Sequence, residues 1–156
     1  MRIHRNFMLA ALVATAAFAG VATASAQDAS SAFVKVSSHE GFTATVSQLK
    51  QAVASNHLMV MGHIDQAKVL SMTGLHLEGA QSFLVGNPNM GKKAFGMNPA
   101  AGAVLPARIY VWSDHGKAYI GYFKPSAQLS AISPGFAMMG GMLDKKFHML
   151  TEQAAR

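Results

Sequence analysis

The stretch Arg108–Phe123, RIYVWSDHGKAYIGYF, constrains the fold more tightly than any other part of the chain. Ile109, Val111 and Ser113 alternate with Arg108, Tyr110 and Trp112, the period-two pattern of a strand with two unlike faces. Asp114-His115-Gly116-Lys117 then supplies a tight turn, because a two-residue hairpin loop needs positive φ and glycine accepts it. Ala118–Phe123 returns as the partner strand. A lone hairpin is marginal in water, so the remaining chain must extend this sheet and cover one of its faces.

The rest of the sequence supplies the elements to do so. Phe33–Ser37 reads as a first strand. Phe42, Val46, Leu49 and Val53 recur at helical spacing to about Ser55, with Thr43 as the expected N-cap and Ser47, Gln48, Lys50 and Gln51 on the polar side. His57–Ile64 reads as a strand, and Asp65 can cap a short helix, Gln66–Met72, that Gly74 ends. Ser82–Gly86 is an apolar strand stopped by Gly86-Asn87-Pro88-Asn89, and Met90–Ala103 suits a short helix and a loop closed by Pro99. Pro125 and Pro134 punctuate a short segment. Phe136, Met139, Leu143, Phe147 and Leu150 then mark a final Met-rich amphipathic helix through Ala154, started or interrupted at Gly140-Gly141. The order β-α-β-β-β-β-α, with short extra helices, predicts one α+β domain over residues 33–156, a mostly antiparallel sheet with helices packed on one face.

Residues 1–26 have the plan of a secretory signal peptide. Arg2 and Arg5 give a basic start, Phe7–Ala22 an uncharged apolar run, and Ala24-Ser25-Ala26 a small-residue cleavage motif. The run is Ala-rich, short of a bilayer span and followed at once by Gln27-Asp28, which speaks against a membrane anchor. Cleavage after Ala26 would leave residues 27–32 as a flexible lead-in and place the protein in the periplasm or outside the cell. It would also remove two of thirteen basic residues and none of seven acids, leaving +4 from a formal +6. Thinly spread charge with no basic run interleaved with aromatics makes nucleic acid a poor partner. Cysteine is absent, so the fold uses no disulfide and carries no lipidated cysteine.

The candidate chemistry is sparse. No G-x-S-x-G, H-E-x-x-H or phosphate-binding glycine loop occurs. No two acids sit at a spacing that suggests an acid–base pair, so an enzyme of unknown reaction is the last of three readings. A soft-metal site is the second. In a regular strand His57, Met59, Met61 and His63 share one face, and imidazole with thioether is a ligand set for copper, Cu(I) above all, or for haem iron. Successive members of that face stand about 7 Å apart, so other strands would have to complete the set. A core face built with methionine has the same composition. The first reading is a non-enzymatic binding or interaction module for a small ligand or a protein partner. Asn87, Lys92 and Arg108 could hold a carboxylate or small anion, and Trp112, Tyr110, Tyr119 and Tyr122 could line an aromatic wall. Turn chemistry alone explains Gly86-Asn87-Pro88, and cross-strand stabilisation alone explains the aromatics.

The segment Ser82–Ser126 joins an apolar strand, Gly86-Asn87-Pro88, a short helix, Leu105-Pro106, the Val111-Trp112 strand, the Asp114-His115-Gly116 turn and a Tyr-rich strand ending in Pro125. In that order these features resemble the bacterial and archaeal domain-of-unknown-function family numbered 302. The Phe42, Val46, Leu49 helix and Ile64-Asp65 fit the same pattern. The resemblance covers roughly residues 33 to 133, and the Met-rich tail from Gly135 departs from it. It implies a compact α+β fold and a homodimer as the expected assembly, and it implies no activity.

Overall fold

The computed structural model describes residues 32–156, and the stretches expected to be a signal peptide (1–26) and most of a lead-in (27–32) lie outside them. Its centre is the hairpin. Strands β4 (Ala107–Asp114) and β5 (Lys117–Phe123) pair in the expected register, Val111 opposite Ile120 and Asp114 opposite Lys117. The two turn residues both adopt positive φ, 50° at His115 and 75° at Gly116, the twist that lets a two-residue loop join right-twisted strands. Glu78 fastens the turn by accepting bonds from Ser113 Oγ at 2.7 Å and from the Gly116 N–H at 2.9 Å.

Strand β1 (Phe33–Ser37) adds beside β5, while β3 (Ala80–Gly86) and then β2 (Met59–Asp65) add beside β4. The result is a five-stranded sheet in the order β1-β5-β4-β3-β2, antiparallel at every pairing. Among the described residues three helices connect strands, α1 (Phe42–Ser55), α2 (Gln66–Ser71) and α3 (Pro88–Met97), and two follow β5, α4 (Pro125–Ile132) and α5 (Ala137–Ala154), with 3-10 turns at Pro99–Ala103 and Pro134–Phe136. The α+β architecture is the one the hairpin and the helical stripes predict.

One face of the sheet is the core face. Phe83, Ile109, Val111 and Ile120, all fully buried, meet Leu49 and Val53 of α1 and Phe147 and Leu150 of α5. Each such side chain contributes roughly 1.5–3 kcal/mol by leaving water, so this layer is the main source of stability. Leu129, Phe136, Met139 and Leu143 build a second cluster with Ala94 and Ala101, where α4 and the start of α5 meet the end of α3.

Several local expectations are corrected. Helix α1 starts after Gly41, which has no side chain to cap with, and Thr43 plays no part. The buried Thr45 hydroxyl lies 2.7 Å from Ser38 Oγ and 3.0 Å from the Gly41 carbonyl instead. Gly140-Gly141 neither starts nor breaks α5, which runs on from Ala137. A β-carbon at Gly140 would lie 2.5 Å from Ser126 Cα, so glycine here permits close contact between α4 and α5. Asp144 of α5 then accepts from the Ser126 N–H at 2.9 Å and from its hydroxyl. Asp65 caps α2 as expected, accepting from the Lys68 N–H at 2.9 Å. Among the described residues no helix is long and apolar enough to cross a membrane.

Candidate ligand-binding face

The strand register aligns side chains across the second face of the sheet, where the long ones stay exposed or half-exposed. One row reads Ile64, Ser82, Tyr110, Gly121 and Lys35, and the next reads Ala80, Trp112, Tyr119 and Ser37. Gly121 sits among aromatic rings. A β-carbon there would lie 2.8 Å from Phe33 Cζ and 2.9 Å from Trp112 Cζ3, so a residue without one lets both rings lie down over the strand. Trp112 stacks between Tyr110 and Tyr119 at centroid distances of 5.3 and 5.4 Å, and Phe33 meets Phe123 at 5.2 Å. The Lys35 ammonium stands 3.9 Å from the Tyr119 ring centroid and 5.5 Å from that of Trp112, within cation–π range. The face is a sheet-borne aromatic platform with a cation at its edge.

Beside the platform opens a cavity of about 730 Å³. Gln66, Ser82, Leu84, Arg108, Tyr110 and Phe123 line it, and the segment Gly102–Pro106 forms a further wall. Small-molecule sites commonly enclose roughly 300–1,000 Å³ behind a few placed polar groups, and this cavity has both the size and the mixture. Arg108 is exposed and forms no ion pair among the described residues, so its guanidinium fork is free for a carboxylate or similar anion. Burial pushes the Tyr110 hydroxyl up, which keeps it a neutral donor across the physiological range. Gln66 donates from Nε2 to the hydroxyl of the buried Ser82, while its own Oε1 is buried without a partner.

The residues singled out from sequence fall in different places. Arg108 and Trp112 lie on this face, as the alternation requires. Tyr122 borders the cavity but does not belong to the platform: it pairs with Ile109 among the core residues, is 4% exposed and meets Phe147 edge-on at 5.5 Å. Asn87 is the N-cap of α3, accepting from the Asn89 N–H at 2.9 Å and donating to the His57 carbonyl at 3.0 Å. Lys92 is exposed on α3 and lines neither this cavity nor the smaller one that Asn87 borders. The anion trio of Asn87, Lys92 and Arg108 is therefore not assembled.

The single face expected of His57, Met59, Met61 and His63 is not formed either. His57 lies before β2 in a turn, at φ 56°. Between Val60, opposite Val85, and Gly62, opposite Leu84, Met61 is an extra residue, and this bulge reverses the alternation. His63 thereby turns to the core side and stacks on Phe83 at 5.0 Å. Among the described residues no group of three or more His, Asp or Glu is placed to hold a metal ion.

Sequence reasoning missed Phe33, Gln66, Ser82 and Phe123 as site residues. Hairpin parity carried part of the signal: a loop of two residues sets Tyr119 opposite Trp112, which puts Tyr119, Gly121 and Phe123 on one face and Tyr122 on the other. Gln66 and Ser82 come from other strands and helices, and no local pattern marks them.

A crystal structure of an uncharacterized conserved DUF302 protein from Bacillus stearothermophilus superposes with a TM-score of 0.74, at 19% identity, over 80% of this chain and 98% of that one. At that identity the likeness is one of fold. No match was found among curated proteins. Residues 34–150 match the family described as domain of unknown function DUF302, which extends the resemblance past residue 133 and through most of α5, Met-rich segment included. The chain belongs to the DUF302 family.

Proposed function

We propose that this domain is a binding module whose uncovered sheet face takes a flat, largely aromatic small molecule bearing a carboxylate or comparable anionic group. The observation that carries the reading is the aromatic platform made by Phe33, Trp112, Tyr110 and Tyr119 over Gly121, set beside a cavity that contains a free guanidinium. Stacked rings contribute about 0.5–1.5 kcal/mol per pair beyond burial, and a hydrogen bond to a charged group about 1.5–3 kcal/mol. Together these favour a planar anion over an aliphatic or cationic ligand.

Calorimetric titration with 2-naphthoate, and with the neutral 2-naphthamide, tests this. Naphthoate is expected to bind at one site, the amide at least tenfold more weakly, and Arg108→Gln to remove most of that difference. Equal affinities for acid and amide, or no binding of either, would overturn the reading.

The same proposal places the protein outside the cytoplasm, through cleavage after Ala26. The support is the basic start, apolar run and Ala24-Ser25-Ala26 of the leader. Intact mass of the protein recovered from the native cell envelope fraction or medium is expected to correspond to residues 27–156. A mass that retains residues 1–26 would refute export by this leader.

A further inference from the structure

A second, smaller cavity lies where the end of β3 meets α3 and α5. Its volume is about 160 Å³. Met61, Val85, Met90, Phe95, Met139 and Leu143 dominate its lining, and Asn87 brings the one uncharged polar side chain, with no charged group present. The Asn87 amide is already engaged: Oδ1 accepts from the Asn89 and Met90 N–H groups, and Nδ2 donates to the His57 carbonyl. A water molecule needs two to four polar partners to settle in a cavity, and this lining withholds them.

We infer that this cavity is a binding site for a small uncharged hydrocarbon group, an aryl or compact alkyl moiety of about the size of benzene. The volume matches: an apolar cavity of about 150 Å³ in a protein interior stays dry and accepts benzene. The walls suit an adaptable fit. Met61, Met90 and Met139 come from β2, α3 and α5, and unbranched thioether side chains reshape around a guest more readily than branched ones. Access comes from the rim, where Met61 and Phe95 are 52% and 44% exposed while Met139 beneath is 9% exposed. The β2 bulge that dismantled the His/Met face is what brings Met61 to this rim, with its sulfur 3.1 Å from where a Gly86 β-carbon would be. The site is separate from the platform on the open face, and the two cavities share only the Leu105-Pro106 wall.

The test is a benzene titration of the purified full chain, followed by the methyl NMR signals of its methionines. Saturable shifts are expected at Met61, Met90 and Met139, with Met138, Met142 and Met149 on the exposed side of α5 unmoved. Gly91→Leu supplies the blocking variant. Gly91 lines the cavity, a β-carbon there would touch nothing within 4 Å, and leucine is a better helix former than glycine, so α3 is expected to hold. Benzene affinity is expected to fall at least tenfold in Gly91→Leu while naphthoate affinity stays unchanged. No saturable shift, shifts confined to the exposed methionines or to Trp112, or undiminished benzene binding by a folded Gly91→Leu protein would each overturn the inference.

Discussion

Gly121 determines whether the open face is a platform or a row of upright side chains. Alanine there would drive a methyl group into Phe33 and Trp112, and since the contacts are with ring edges the rings can swing away. The expected cost in stability is therefore modest, about 1 kcal/mol. The functional readout should be larger. Trp112 is the chain's only tryptophan, so Gly121→Ala is expected to shift its emission to the red and weaken 2-naphthoate binding several-fold. Unchanged emission and affinity would remove Gly121 from the account. Glu78 works by charge rather than shape. The Gly116 N–H first and the Ser113 hydroxyl second hold its carboxyl below the ordinary glutamate range. A depressed native pKa gives stability that is full above the unfolded value and is lost as pH falls through the native one. The thermal midpoint of Glu78→Gln is accordingly expected to fall less steeply than that of the parent between neutral pH and the acid range, and parallel curves would contradict the clamp.

Elements differ in how far their own sequence dictates them. The β4–β5 hairpin was legible because its turn, alternation and register all lie within sixteen consecutive residues, and each specifies the next. Applied through the turn, the same parity also assigns Tyr122 to the core. Strand β2 was not legible in this way. Its bulge at Met61 is an adjustment to β3, and one inserted residue exchanges every later side chain between faces, so His63 departs from Met59. Gly140 is a similar case in α5. Read locally, Gly140-Gly141 is a helix breaker; in the fold it admits the backbone of Ser126, which Asp144 then holds. Gly140→Ala should improve helix propensity yet destabilise the protein by about 1–3 kcal/mol, because the obstacle is backbone. Thermal or urea unfolding checks the sign, and a stabilised variant would mean that α4 and α5 separate without cost.

At the scale of the whole molecule the sheet divides the work. Helices α1 and α5 close one face into the core that supplies stability, and that leaves the other face free to keep rings and cations that a core would not accept. Fold class and the core face followed from periodicity, whereas the cavity did not. Its lining joins β1, α2, β3, β4, β5 and α4, segments whose proximity is a product of topology alone. The central claim is that ligand binds on the open face. Amide and indole chemical-shift mapping during a 2-naphthoate titration tests it most directly. The account predicts a saturable set of perturbations on Phe33, Ser82, Arg108, Tyr110, Trp112 and Gly121, with α1 silent. Perturbations centred on α1 and α5, or none at saturating naphthoate, would contradict it.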